Sequence, residues 1–245
     1  MREKPPPEGV NHIVRDGEWV GSIAVRYGIA DWEKDVWQHP KNALLRKKRK
    51  DPHVLATGDE LFIPPWLEKE EPGPTGHRHR FKLKTPNECF RLRILDEQGE
   101  PVARAAYTLD IVCGPGGGTY KQRGTHTDAD GILEEVIPST AVAGRLLVPD
   151  ASIDMQLDFG RLAPMDTADE ELTVRGAQQR LSSLGYYDGP VDGRTRPELE
   201  AAVRRFQQFC KDALGAGDSR VADPGDVDGK LSEPTIAALL KFYGC

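Results

Sequence analysis

The stretch from Leu67 to His79 sets the organisation of the chain. It passes from charged residues into Glu71-Pro-Gly-Pro-Thr-Gly76 and carries neither helical nor strand periodicity. Such a segment reads as a semi-extended spacer and adds little to a core. The 245 residues are therefore expected to bury their apolar side chains in separate units on either side of it. A second, shorter break runs from Pro164 to Glu171. With 38% hydrophobic residues there is enough to fill cores, and 19 prolines and 25 glycines suit small, loop-rich domains.

Before the spacer, His12-Ile-Val-Arg15 reads as a short strand and Gly17-Glu18 as a turn. Val20, Ile23, Ala24 and Tyr27 follow at i, i+3, i+4 and i+7, the apolar stripe of a short helix, and Gly28 is placed to end it. Asp31 is placed to cap a second helix carrying Trp32, Val36 and Trp37. The basic run Arg46-Lys-Lys-Arg-Lys50 reads as a solvated loop or as a patch for an acidic partner. Gly58-Asp59 turns into a second strand, Leu61-Phe-Ile63. Residues 1–10, with three consecutive prolines, read as a disordered tail.

The wording His12-x-Val14-x-x-Gly17-Glu18-x-Val20-x-Ser22-Ile23-Ala24-x-x-Tyr27-Gly28, closing on Gly58-Asp59-x-Leu61-x-Ile63-Pro64, resembles a LysM module over residues 11–66. It departs from that family at Glu18, where Asp is usual, and in a lengthened middle from Trp37 to the basic run. That wording resembles LysM modules of phage-tail-like and contractile injection proteins more than those of secreted hydrolases. The resemblance implies a βααβ fold that binds N-acetylglucosamine glycans in a shallow groove. Gly17, Glu18, Trp19 and Val20 would form one side, and Asp51, Pro52 and His53 the other. Read from its residues alone, Trp19 fits core packing as well as a groove wall.

Residues 80–163 read as an all-β domain. Phe90-Arg-Leu-Arg-Ile-Leu95 alternates as a half-buried strand does, and Tyr107, Leu109 and Ile111 share one face of another. Further candidates stand at 120–126, 132–137, 144–148 and 153–159, and turn signals at this spacing suggest an all-β sandwich. Gly114-Pro-Gly-Gly-Gly118 is a hairpin tip, since no helix and no Lys-Ser/Thr follow it. Asp96-x-x-Gly99-x-Pro101-Val102-x-x-Ala105-x-Tyr107 with Gly124-Thr-x-Thr127-Asp128-x-x-Gly131 resembles carboxypeptidase-regulatory-like or Ig-like sandwich repeats, which implies a spacer or docking role.

After the 164–171 connection, residues 172–245 read as three amphipathic helices, the second opening at Pro197 and the third after Ser232. Two similar turns feed them: Gly189-Pro-Val-Asp-Gly193 and Gly225-Asp-Val-Asp-Gly229. Asp192 and Asp228 sit where a carboxylate accepts backbone N–H bonds at a helix entry. Gln178-x-x-Leu181, Gly185-Tyr-Tyr-Asp-Gly-Pro-Val-Asp-Gly193, Ala202-Val-x-x-Phe206-Gln207 and Val227-Asp-Gly229-x-x-x-x-x-Thr235 resemble a peptidoglycan-binding-domain-1 module, a three-helix bundle. Arg196, Ser232 and Leu199 depart from its pattern, as does an insertion at 214–226. The resemblance implies Tyr186, Tyr187, Asp192 and Thr235 as wall-facing positions. Tyr187 is the stronger ligand candidate, because Tyr186 also fits bundle packing.

Taken together, the reading is a multidomain α+β protein: a small βααβ domain, an all-β sandwich and a three-helix bundle. The net charge of -6 gives no nucleic-acid bias, and no run approaches a membrane span of about 18 apolar residues. No Ser/His/Asp set, paired carboxylates or metal tetrad stands on a recognisable pattern, so the expectation is a non-enzyme without cofactor or metal. His77 and His79 read as polar linker. The four cysteines have no metal spacing. They read as reduced thiols, with a Cys89–Cys113 bridge left open. The resemblances imply a peptidoglycan binder acting in the cell envelope without a Sec signal, as an accessory of a contractile (type VI or phage-tail-like) injection system with spike or effector partners. A docking protein without glycan binding is the alternative, and a wall hydrolase a third reading.

Overall fold

The computed structural model describes residues 3–66, 72–79, 86–96, 99–114, 118–165 and 167–243, with backbone only at 122–124. The chain is mixed α+β and forms two compact units, residues 1–46 with 57–161, and residues 47–56 with 162–245.

In the first unit, strands β1 (Val10–Ile13) and β2 (Glu60–Ile63) pair antiparallel, with Val10 opposite Ile63. Helix α1 (Val20–Arg26) follows the expected stripe, and Val20, Ile23 and Ala24 are buried. Its first turn is closed by reciprocal bonds. The Trp19 N–H donates to Ser22 Oγ (3.0 Å), and the Ser22 hydroxyl donates to the Trp19 carbonyl (2.9 Å). A π-helical turn (Glu33–Trp37) and a 3-10 turn (Pro40–Asn42) come next. Asn42, buried within the lengthened middle, fastens this connection to β2. Its amide nitrogen donates to the Val36 and Phe62 carbonyls (2.7 and 2.9 Å), and its oxygen accepts the Phe62 N–H (2.7 Å).

Two expectations are corrected here. Residues 3–10 are not a disordered tail: the Glu3 N–H donates to the Arg26 carbonyl (2.9 Å), Pro5 and Gly9 are buried, and Val10 opens β1. Most of the basic run is helix α2 (Ala43–Arg49) rather than loop, because 43–49 holds good helix formers and no Gly or Pro. The spacer falls at 67–71 outside the described residues.

The β part of this unit has six strands among the described residues, in two sheets. β3 (Asn87–Arg93) pairs with β6 (Ile132–Pro138). β4 (Ala106–Cys113), β5 (Thr119–His126), β7 (Ala141–Val148) and β8 (Ile153–Asp158) lie in the order β5-β4-β7-β8. The expected alternation holds on β4, where Tyr107, Leu109 and Ile111 are buried against Leu133 and Ile137 of β6 and Leu146 and Val148 of β7. Phe90 and Phe159 meet edge-to-face at 5.3 Å in the same core. The Cys113 N–H bonds the Gly118 carbonyl (2.9 Å) at the base of the expected hairpin, whose tip 115–117 lies outside the described residues. Cys89 and Cys113 do not pair: they stand on different sheets and are free thiols.

The N-terminal and β parts are held together at Trp19. The indole is 4% exposed and lies against Gly160, just after β8. A Cβ at Gly160 would stand 2.1 Å from Trp19 Cε3 and 2.9 Å from the Gly17 carbonyl oxygen, and its φ is +75°. Only glycine fits both demands.

The second unit is built on α3 (Glu170–Ser183), α4 (Pro197–Gly215) and α5 (Glu233–Tyr243). Asp169 caps α3 by accepting the Leu172 N–H (3.2 Å), and Pro197 opens α4 as expected. Leu181, Phe206, Cys210 and Leu239 lie in its core. The 164–171 segment is not a free connection at its start. Pro164 and Met165 are buried, Met165 in this core, and Thr173 donates to the Met165 carbonyl (2.9 Å).

Gly160→Val should destabilise the first unit by about 2–4 kcal/mol, through steric overlap and a positive φ together. Urea unfolding followed by tryptophan fluorescence measures it.

Candidate functional site

The two turns of the helical unit are built by the same device. Gln178 of α3 is 0% exposed. Its Oε1 accepts the N–H groups of Asp192 (3.0 Å) and Gly193 (2.8 Å), and its Nε2 donates to the Arg194 carbonyl (3.0 Å). Gln207 of α4, also 0% exposed, accepts the Gly229 N–H (2.8 Å) and donates to the Lys230 carbonyl (3.2 Å). In each case a buried amide satisfies turn backbone that would otherwise lose hydrogen bonds on leaving water.

The turn glycines match as well. A Cβ on Gly193 would lie 2.9 Å from the Glu171 carbonyl oxygen, and one on Gly229 would lie 2.8 Å from that of Glu200. Glu171 precedes Gln178 by the same seven positions as Glu200 precedes Gln207. Helix α4 therefore serves twice, as the second helix of one helix-turn-helix unit and the first of the next. The echo seen in the sequence is a structural repeat.

Asp192 and Asp228 take the expected helix-entry role. Asp192 accepts the Arg194 N–H (3.1 Å), and both its oxygens are bonded by Arg196 (2.7 and 2.5 Å). The Arg196 bonds hold its carboxyl far below the usual carboxylate range. Asp228 accepts the Lys230 N–H (2.9 Å), which lowers its carboxyl in the same direction.

Tyr187 departs from expectation. It is 2% exposed, its hydroxyl donates to the Pro190 carbonyl (3.0 Å), and its ring fills the space beside Gly189. It closes its own loop and offers no face to a ligand. Tyr186 is half-buried, edge-to-face with Phe206 at 5.8 Å, and burial pushes its phenol up to about 12. Thr235 is 0% exposed. It accepts from Gln207 (2.9 Å) and donates to the Pro224 carbonyl (2.8 Å). What the first turn presents to solvent is Asp188, Pro190, Val191, Arg194 and Thr195.

Residues 171–211, which span α3, the first turn and most of α4, match the family described as "Putative peptidoglycan binding domain". No curated protein and no solved structure matches the chain. The match includes Gln178, Gly193 and Gln207, and stops before the second turn.

The residues expected to form the N-terminal groove fall in both units. In the first, Val20 is 0% exposed and Trp19 is packed on Gly160, so neither is a glycan platform. Glu18 is a knot: its carboxylate accepts the Arg15 N–H (3.0 Å), lies 2.8 Å from His12 Nε2 and 2.9 Å from Arg26. Burial opposes its ionisation, but these bonds outweigh it and lower the carboxyl below its usual range. Gly17 keeps a left-handed φ of +77° in the turn. In the second unit, Asp51 accepts the His53 N–H (2.8 Å) in the turn after α2, Pro52 is half-buried, and His53 is exposed. Among the described residues no cluster of His, Cys, Asp or Glu could hold a metal ion.

Gln178 and Gln207 carried no role in the sequence reading beyond their place in a motif. The available signal was a glutamine ahead of each matching Asp-Gly turn. Gln178→Leu or Gln207→Leu should each cost about 2–4 kcal/mol, since turn N–H groups lose their acceptor. Denaturant unfolding measures this. Asp192 and Asp228 ionise more readily folded than unfolded. Their stabilisation is full above about pH 4 and is lost as pH falls through their folded values. Asp192→Asn should therefore flatten the acid limb of a plot of melting temperature against pH.

Proposed function

We propose that the chain binds peptidoglycan through its helical unit and does not catalyse a reaction on it. The match of residues 171–211 to a family described as peptidoglycan-binding carries this reading. The geometry supports it by holding a rigid, solvent-facing turn, with Val191 43% exposed beside the cationic Arg194. Such a surface offers apolar contact to a sugar or peptide backbone and a charge for a stem carboxylate. Preorganisation by Gln178 lowers the ordering cost of binding.

The first unit has a different part in this proposal. Its LysM-like residues Trp19 and Val20 serve internal packing, which favours a structural or docking role over a second glycan site. The LysM-like wording also supports a place among accessory proteins of a contractile injection system, with the β part offered to a spike or effector. No helix among the described residues is long and apolar enough to cross a membrane.

Purified sacculi should pull down the full chain. A Val191→Asp/Arg194→Glu double variant should lose at least about fivefold in bound fraction with its melting curve unchanged, as exposed contact residues do. A wild-type chain left in the supernatant would sink the binding reading. Release of soluble muropeptides on long incubation would sink the non-catalytic one.

A further inference from the structure

The second turn of the helical unit lies beyond the matched residues, and it repeats more than the glutamine clamp. At Arg194 the N–H donates to Asp192 (3.1 Å) and the carbonyl accepts from Gln178 (3.0 Å). At Lys230 the N–H donates to Asp228 (2.9 Å) and the carbonyl accepts from Gln207 (3.2 Å). In both residues the two backbone groups are bound within the turn, and the cationic side chain is left to solvent. Arg194 is exposed, and the Lys230 side chain is 80% exposed.

A valine stands three positions before each cation. Val227 is 36% exposed, close to the 43% of Val191, and neither belongs to the bundle core. Other positions of the two turns have diverged: Asp226 stands where the first turn has Pro190, Leu231 where it has Thr195, and Ser232 where it has Arg196. Among the residues that recur, the aspartates and the last glycines build the turns. The valine and the cation have no such task. A single exposed valine is ordinary. The same valine beside the same charge on two clamped turns is not explained by packing.

The two turns open near one end of α4. The first leads into the helix at Arg196, and Gly229 of the second packs on the Glu200 carbonyl, one helical turn further and about 6 Å along the axis.

We infer that the second turn is a second contact site for the same sugar–peptide polymer, with Val227 against apolar sugar or peptide surface and Lys230 on a carboxylate. This role rests on the peptidoglycan reading of the first turn and extends it to residues outside the family match. The Lys230 ammonium lies 3.9 Å from Asp228, an exposed pair of the kind that contributes little and gives way to a ligand. With Asp226 adding a negative charge, the second turn is the weaker of the two sites. Once the first turn is filled, a repeating polymer presents its next units to the second at high effective concentration, so two weak contacts hold it longer than either alone.

Sedimentation of the full chain over a range of sacculus concentrations tests this, with wild type, Val191→Asn/Arg194→Gln and Val227→Asn/Lys230→Gln compared. These changes fall on exposed side chains, and melting curves check that each variant stays folded. The second-turn variant should need at least about tenfold more sacculi for half binding, as loss of one of two linked contacts does. Amide NMR of the wild-type chain with soluble muramidase-released wall fragments needs no variant, and shifts are expected at Val227 and Lys230 as well as at Val191 and Arg194. A wild type that stays in the supernatant removes the peptidoglycan reading itself, and the second site with it. A wild type that sediments, with the folded second-turn variant sedimenting equally well or with shifts missing from Val227 and Lys230, overturns the second site and leaves the first standing.

Discussion

A buried side-chain amide on each turn is the interaction on which the helical unit depends. Three helices of this size bury apolar stripes readily, but the turns between them leave N–H and carbonyl groups that the helix backbone does not satisfy. Gln178 and Gln207 answer both needs at once, because an amide carries an acceptor and donors on one rigid plane. The Asp side chains then fix the following residues, and the glycines let the turn touch the helix backbone. Removing any part exposes the cost that the others were arranged to avoid.

The first unit depends on a different constraint, a large ring against a residue without a side chain. Trp19 closes the first turn of α1 through its backbone and meets Gly160 through its indole. Local helix entry and packing between the N-terminal and β parts are thus set by the same residue. Glu18 beside it ties His12, Arg15 and Arg26 into one loop. The residues that a groove would have claimed are spent on holding the unit together.

Much of the fold was legible in the sequence. The stripe Val20, Ile23, Ala24 and the alternation Tyr107, Leu109, Ile111 were read directly as buried faces, since burial and periodicity are the same information. The twin Asp-Gly turns were likewise visible, and Asp192 and Asp228 do what helix-entry carboxylates do. The candidate site was less legible. Exposure of Trp19 and Tyr187 depends on Gly160 and Gly189, and no local pattern tells a ring packed on a distant or looping glycine from one facing solvent. The same limit hid the grouping of 47–56 with the helical unit and the burial of Met165, both products of tertiary contact rather than of local propensity.

The repeat in the helical unit is unequal in one respect. Fifteen positions separate Gln178 from Gly193, and twenty-two separate Gln207 from Gly229. Of the seven additional residues, three lengthen α4 beyond its glutamine and four fall in the path between the end of α4 and the second turn, where the glutamine still accepts the turn N–H. Chain length can thus vary along that path without disturbing the clamped backbone. New surface can arise there while the three helices keep their registry.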